Sequence, residues 1–365
     1  MNSISKPCSS CATMSIIRHS CTICRKHGFC SMCLNYAVVR PKSGSSDALE
    51  SVAACRACFR LSVSLDLSVK WEVVAPQMRL DESSDNVADT EVVTVIALHG
   101  GGGSRALYRP LAATLSANGI RTILVDLPAH GGRMDEPLSI DSVAAAVLEA
   151  MEAHKVGPRQ PFVLLGGSLG GFAAMELLGR YPNSFMGAVI CCASQNTGFN
   201  ASFKAKAALS AAEFLLHHVL FASTTVGAMI SMVTSHKHLD PMLMKATGVD
   251  SGFYFHSGAS HVQVLRCTNS REAMRKYHGP VLFLDGSEDH HDMLTDLVEI
   301  ATTNELCNLD SAGLVDDAGR LVALSRSVLY KGADHFFSHD KRFRCEFESD
   351  VVMFVRQVAA RCMLK

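Results

Sequence analysis

The chain has 365 residues, 48% of them hydrophobic, and a formal charge of −1 at pH 7. That length suits two domains, and that composition supports a large core. The near-neutral balance excludes both the basic footprint of a nucleic-acid binder and the charge-rich profile of a disordered protein.

Met1–Pro7 contains no apolar run, so no secretory signal is expected, and Asn2 excludes N-myristoylation. Eight of the fourteen cysteines then fall within the first 58 residues as C-x-x-C pairs: Cys8/Cys11, Cys21/Cys24, Cys30/Cys33 and Cys55/Cys58. Without a secretory signal the reducing interior is the default, which favours metal over disulfides. A C-x-x-C turn sets two thiolates on one side of a metal. Zinc takes four ligands tetrahedrally, so four pairs build two structural Zn²⁺ sites. The short gap between Cys24 and Cys30 favours interleaving, with pairs one and three on one zinc and pairs two and four on the other. So short a segment buries little apolar surface, and metal binding supplies its folding energy. The other six cysteines read as ordinary semi-buried thiols.

The run Arg18-His19-Ser20-Cys21-Thr22-Ile23-Cys24, continued to Cys33, and the closing Cys55-Arg56-Ala57-Cys58-Phe59 resemble a FYVE-type zinc finger over residues 6–66. The run differs from that family's at Ser20 and Thr22. The resemblance implies cross-braced zinc and binding of phosphatidylinositol 3-phosphate on endosomal membranes. In that reading Arg18 and His19 are the head-group ligands, through charge-assisted bonds. Met14, Ile16 and Ile17 form the loop that inserts into the bilayer; the alternative is that they pack under the zinc site. Eight Lys/Arg against Asp47 and Glu50 in residues 1–60 favour an anionic surface. The expected location is cytoplasmic, peripheral on endosomal membranes, with no nucleic-acid partner.

Residues 1–66 thus form the finger, 67–90 a linker or edge strand that includes Trp71–Val74, and 91–365 a second domain. From 91 short β-branched runs alternate with longer helical segments. Strands are expected at 92–98, 122–125, 162–165, 188–190, 281–284 and 327–330, and helices at 104–117, 139–155, 170–180 and 348–362. This alternation predicts an α/β fold, a mostly parallel sheet with helices on both faces. Functional residues then belong at the carboxyl ends of the strands. Residues 195–275 interrupt the rhythm and suggest a helical cap, with apolar helices at 203–220 and 225–233 and aromatics at Phe253, Tyr254 and Phe255. Lys204, Lys206, Glu213, His217 and His218 break the apolar stretch 203–233, which argues against a membrane span.

The strand 162–165 leads into Gly166-Gly167-Ser168-Leu169-Gly170, with a helix following. This is a G-x-S-x-G turn in strand–turn–helix context, tight enough to require glycine at 166 and 170, and it presents Ser168 as nucleophile. The first strand runs into His99-Gly100-Gly101-Gly102-Gly103. Backbone N–H groups of Gly100 or Gly101, with that of Leu169, are the candidate oxyanion donors. His99 reads as a scaffold residue of that loop. The triad acid is assigned to Asp289, with Asp285, Glu288 and Asp292 as alternatives. The base is His335, in Gly332-Ala333-Asp334-His335, with His339 the nearest rival. Serine needs an imidazole to accept its proton, and the acid fixes the imidazole's tautomer.

The order Ser168, Asp289, His335 and the loop Asp126-Leu127-Pro128-Ala129-His130-Gly131 resemble the α/β-hydrolase superfamily over about 91–362. Gly167 stands where many lipase-like members carry histidine, which suggests more space beside the nucleophile. The resemblance implies a serine esterase, lipase or thioesterase without organic cofactor, acting on a small-molecule or lipid ester. The alternative is an inactive hydrolase scaffold serving as a phosphoinositide- or protein-binding adaptor.

Overall fold

The computed structural model describes residues 65–77, 92–154, 161–194, 198–218, 258–289 and 325–363, together with short backbone strand pairs elsewhere. Towards the N-terminus, Leu34–Val39 pairs antiparallel with Glu50–Cys55, and His19–Ser20 with His27–Phe29. The thiols of the eight paired cysteines lie outside the described residues, as do the side chains of Met14, Ile16, Ile17, Arg18 and His19.

A seven-stranded sheet organises the rest. Its strands are β1 (Trp71–Val74), β2 (Thr94–Leu98), β3 (Arg121–Val125), β4 (Phe162–Gly167), β5 (Gly187–Cys191), β6 (Val281–Gly286) and β7 (Arg326–Tyr330), in the spatial order β7-β6-β5-β4-β2-β3-β1. All neighbours are parallel except β1, which runs antiparallel to β3 at the edge. The sheet therefore begins at Trp71, upstream of the first β-branched run. Five central strands are apolar and almost wholly buried, as parallel strands covered on both faces must be.

Strand alternation divides the core into two layers. Ile96, Leu98, Ile123, Val125 and Leu164 face one side, against the helices α2 (Ile140–Ala153) and α3 (Leu169–Arg180). Val95, Ala97, Leu124, Val163 and Leu165 face the other, against α1 (Arg109–Ala117) and the C-terminal helix, here α7 (Arg344–Met363). Each such side chain larger than Ala97 contributes about 1.5–3 kcal/mol on burial. Local signals set the helix starts. Ser139 caps α2 by accepting the Ser142 N–H at 3.0 Å while the Ser142 hydroxyl accepts the Ser139 N–H at 2.9 Å.

Several boundaries differ from the sequence reading. The segment 104–117 is a 3₁₀ turn, Arg105–Tyr108, followed by α1. Pro110 lacks an N–H to continue an earlier helix but suits the first turn of a new one. Strand β4 runs on through Gly166 and Gly167, which pair with Ile190 and Cys191. The final helix starts at Arg344, four residues earlier than expected.

In the interrupting segment, α4 (Phe203–His218) packs against α5 (Gly258–Cys267), and α6 (Ser270–Lys276) packs on α3. Residues 225–233 and 253–255 lie outside the described residues. Among the described residues no helix is long and apolar enough to cross a membrane.

Candidate active site

Between the end of β4 and the start of α3 stands a single residue, Ser168, with φ 50° and ψ −117°. A non-glycine residue held there costs on the order of 1–3 kcal/mol, and it persists only when its surroundings fix it. Here they do. The Ser168 N–H donates to the Cys191 carbonyl at 2.8 Å, and the Ser168 carbonyl accepts the Phe172 N–H at 3.0 Å. A Cβ on Gly166 would lie 2.3 Å from the Gly170 carbonyl oxygen, and one on Gly170 would lie 2.2 Å from that of Leu98. Both glycines of the G-x-S-x-G turn are therefore sterically required, as the sequence predicts. Leu169 opens α3, where the first N–H groups have no partner within the helix.

The expectation for Gly167 needs correction. A Cβ there would fall 2.2 Å from the Tyr108 hydroxyl. The absent side chain thus leaves no extra space, because Tyr108, itself buried, fills it.

The glycine loop after β2 lies against this turn. A Cβ on Gly100 would sit 3.3 Å from the Ser168 Cβ, and one on Gly101 would sit 3.7 Å from Leu169 Cδ2 and 3.0 Å from His261 Nδ1. Two buried histidines hold the loop. His99 Nδ1 donates to the Gly100 carbonyl at 2.8 Å while its Nε2 accepts the Leu127 N–H at 3.0 Å. His130 Nδ1 donates to the Pro128 carbonyl at 2.9 Å while its Nε2 accepts the Gly102 N–H at 3.1 Å. Each bond pair requires a neutral ring protonated on Nδ1. Burial supplies that state, lowering His99 to about 4 and His130 to about 3. His99 is thus a scaffold of the loop, and His130 matches it from the loop after β3.

His261, on α5, stacks on His130 with ring centroids 4.9 Å apart, and His130 meets His99 edge-on at the same distance. A buried ion pair, Arg105–Asp126, ties the far end of the glycine loop to the end of β3. Asp126 also accepts the Arg105 N–H at 2.7 Å and the Gly132 N–H at 2.8 Å. The Arg105 guanidinium reaches the carbonyls of Asp66 and Val69, each at 2.8 Å, and so fastens the segment before β1 to the same corner.

The remaining groups come from the loops after β6 and β7. His335 Nδ1 meets Asp289 Oδ2 at 2.6 Å. Asp289 is nearly buried, whereas His335 keeps 31% of its side chain exposed. Of the alternative acids, Asp285 is the penultimate residue of β6 and accepts the Gly286 N–H at 2.9 Å. Burial, and then the neighbouring Asp289 carboxylate, push Asp285 up to about 7. The Glu288 N–H donates to the Ala333 carbonyl at 2.8 Å, bracing the two loops. Asp292 lies outside the described residues. His339, the rival base, is buried in the 3₁₀ turn Phe337–His339.

Ser168, the glycine loop, Asp289 and His335 thus all follow the carboxyl ends of parallel strands, with β5 between those that carry Ser168 and Asp289. Sequence reasoning missed the Cys191-Cys192 pair among them. The Cys191 carbonyl holds the Ser168 N–H, the Cys192 N–H donates to the Leu284 carbonyl at 3.0 Å, and the Cys192 thiol reaches the His335 carbonyl at 3.3 Å. Cys192 carries φ 50° and is buried. Burial, followed by the nearby Cys191, pushes its thiol well up. Its place just past β5 was the signal available. His261 gave none, since only packing of the cap brings it to Gly101.

Among curated proteins, no sequence matches the chain. Solved structures share the fold. Similar ones include the enol-lactonase from Burkholderia xenovorans LB400 (16% identity, TM-score 0.56, covering 78% of this chain and 95% of that one). The esterase EaEST from Exiguobacterium antarcticum aligns over 78% of this chain and 94% of its own, at 16% identity and TM-score 0.56. MenH from S. aureus aligns over 80% and 99%, at 16% identity and TM-score 0.55. At these identities the likeness is one of fold alone. The profile of the Alpha/beta hydrolase family matches residues 95–344, more than half of the chain, and spans the serine turn, the glycine loop and the Asp289–His335 pair. By that match the chain belongs to the alpha/beta hydrolase family.

Proposed function

We propose that the protein is a serine hydrolase that cleaves a carboxylic ester or thioester through an acyl-enzyme. The observation that carries this reading is the 2.6 Å contact between His335 Nδ1 and Asp289 Oδ2, on the strand-end edge that also bears the strained Ser168. Ser168 Oγ attacks the carbonyl carbon, and His335 Nε2 accepts its proton. Asp289 accepts the Nδ1–H bond, fixes the tautomer and stabilises the imidazolium. The carbonyl oxygen becomes an oxyanion that the Leu169 N–H and that of Gly100 or Gly101 receive. His335 returns the proton to the departing alcohol or thiol, and water, deprotonated by the same imidazole, releases the acid.

The cysteine-rich segment is proposed as a two-zinc, FYVE-like targeting module. Cys8, Cys11, Cys21, Cys24, Cys30, Cys33, Cys55 and Cys58 are its ligands, and Arg18, His19 and the loop of Met14, Ile16 and Ile17 its contacts with a phosphoinositide membrane. Recruitment of this kind favours a lipid-like ester as substrate.

A panel of p-nitrophenyl esters and acyl thioesters tests the catalytic reading. Wild-type protein is expected to turn over at least one of them, with Ser168→Ala losing at least about 1,000-fold in kcat/KM. Equal rates for the two proteins would refute it.

A further inference from the structure

The Cys192 thiol, one carboxylate oxygen of Asp289 and one ring nitrogen of His335 all lie within 4.8 Å of one another. A thiol, a carboxylate and an imidazole are the ligand types that zinc and its softer congeners prefer. We propose that these three residues form an inhibitory site for a borderline-to-soft divalent cation such as Zn²⁺, bound at the expense of the His335–Asp289 contact. The proposal rests on the catalytic reading for its consequence, inhibition, but not for the binding itself.

The geometry needs little change. Ligand atoms around a tetrahedral zinc stand about 3.3–3.8 Å apart, given metal–ligand bonds of about 2.0–2.3 Å. Rotation of Asp289 and His335, both on loops beyond their strands, brings the cluster to that spacing by opening their 2.6 Å contact and drawing both towards the Cys192 thiol. Cys192 is the fixed point, since its backbone is tied to Leu284 and its φ is 50°. Its thiol gives up the 3.3 Å approach to the His335 carbonyl and its hydrogen bond with Asp289. The partly exposed face of His335 leaves a position for water as fourth ligand. The metal takes Asp289 as carboxylate and His335 as neutral imidazole, and the Cys192 thiol releases its proton on binding. Binding removes the acid from the base and occupies the imidazole, and no redox step is involved.

The test uses the full-length protein, loaded with zinc and then dialysed against a weak chelator so that only the cysteine-rich segment keeps its metal, and then titrated with Cd²⁺. Ester hydrolysis is expected to fall at least ten-fold for wild type. The inhibition midpoint of Cys192→Ala, normalised to its own rate before Cd²⁺ is added, is expected to move at least ten-fold higher. The cadmium–thiolate ultraviolet absorption supplies a readout independent of activity. Wild type should show one thiolate-bearing site more than Cys192→Ala, and Asp289→Asn should weaken that site while leaving the thiol in place. Equal metal equivalents in wild type and Cys192→Ala would overturn the proposal. If wild-type protein were inactive without metal yet bound the extra cadmium, the catalytic reading would fail and the site would stand.

Discussion

Two aspartates four residues apart behave differently because β6 ends between them. Asp285 stays in the strand, buried, with its carboxyl pushed up to about 7, while Asp289 reaches past the turn to His335. Asp289→Asn is therefore expected to lower kcat by about 10⁴-fold with the fold unchanged, since an amide favours the wrong tautomer. Asp285→Asn should cost less than about ten-fold, because it replaces a carboxyl that is already half protonated near pH 7. The reverse ranking in steady-state kinetics would move the acid to Asp285. The scaffold histidines predict a pH effect on stability. Their folded values, about 4 for His99 and about 3 for His130, lie below the ordinary 6.5. The unfolded chain thus binds protons first. Their contribution is fully present above pH 6.5 and is lost as the pH falls from 6.5 towards those folded values. Between pH 7 and pH 5 each should cost about 2 kcal/mol of unfolding free energy. Denaturant unfolding of His130→Asn should show a shallower pH dependence than wild type over that range, and identical slopes would contradict the assignment.

The strand–turn–helix element carrying Ser168 is rigid because its glycines leave no room for any other residue. Gly170→Ala forces a Cβ to within 2.2 Å of the Leu98 carbonyl oxygen, and a loss of about 3 kcal/mol or more is expected in thermal or denaturant melts. A Gly170→Ala protein as stable as wild type would mean that β2 and α3 are not packed as described. This element was the most legible in the sequence, since a spacing of small residues around a serine encodes a local steric demand. The positions of the strands along the chain and the Asp-x-Pro-x-His loop were legible as local patterns too. What the sequence concealed depends on distant packing. Tyr108 fills the place beside Gly167 only because a 3₁₀ turn precedes Pro110. Cys192 touches the His335 loop only because a single strand, β6, separates β5 from β7. His261 reaches Gly101 only through the cap. Asp289, by contrast, is preferred from the sequence because it lies past the expected end of the strand, and the 2.6 Å contact with His335 falls on that residue.

At the scale of the whole molecule, the family match covers residues 95–344, and the eight paired cysteines precede it. The proposed division of labour makes the two parts separable. Purified protein is expected to carry two zinc equivalents by elemental analysis. Stripping them should abolish binding to vesicles containing phosphatidylinositol 3-phosphate while ester hydrolysis in solution stays within about two-fold, because the two sheet faces form their own core. Metal-free protein as isolated would remove the zinc reading of the cysteines. The proposed chemistry depends above all on Ser168 as a nucleophile activated by His335 and Asp289. Its most direct test is reaction with a fluorophosphonate, followed by mass mapping of the adduct. One adduct per chain is expected on the peptide containing Ser168, absent in Ser168→Ala and strongly slowed in His335→Ala. Failure of the folded wild-type protein to react, or an adduct on another residue, would contradict it.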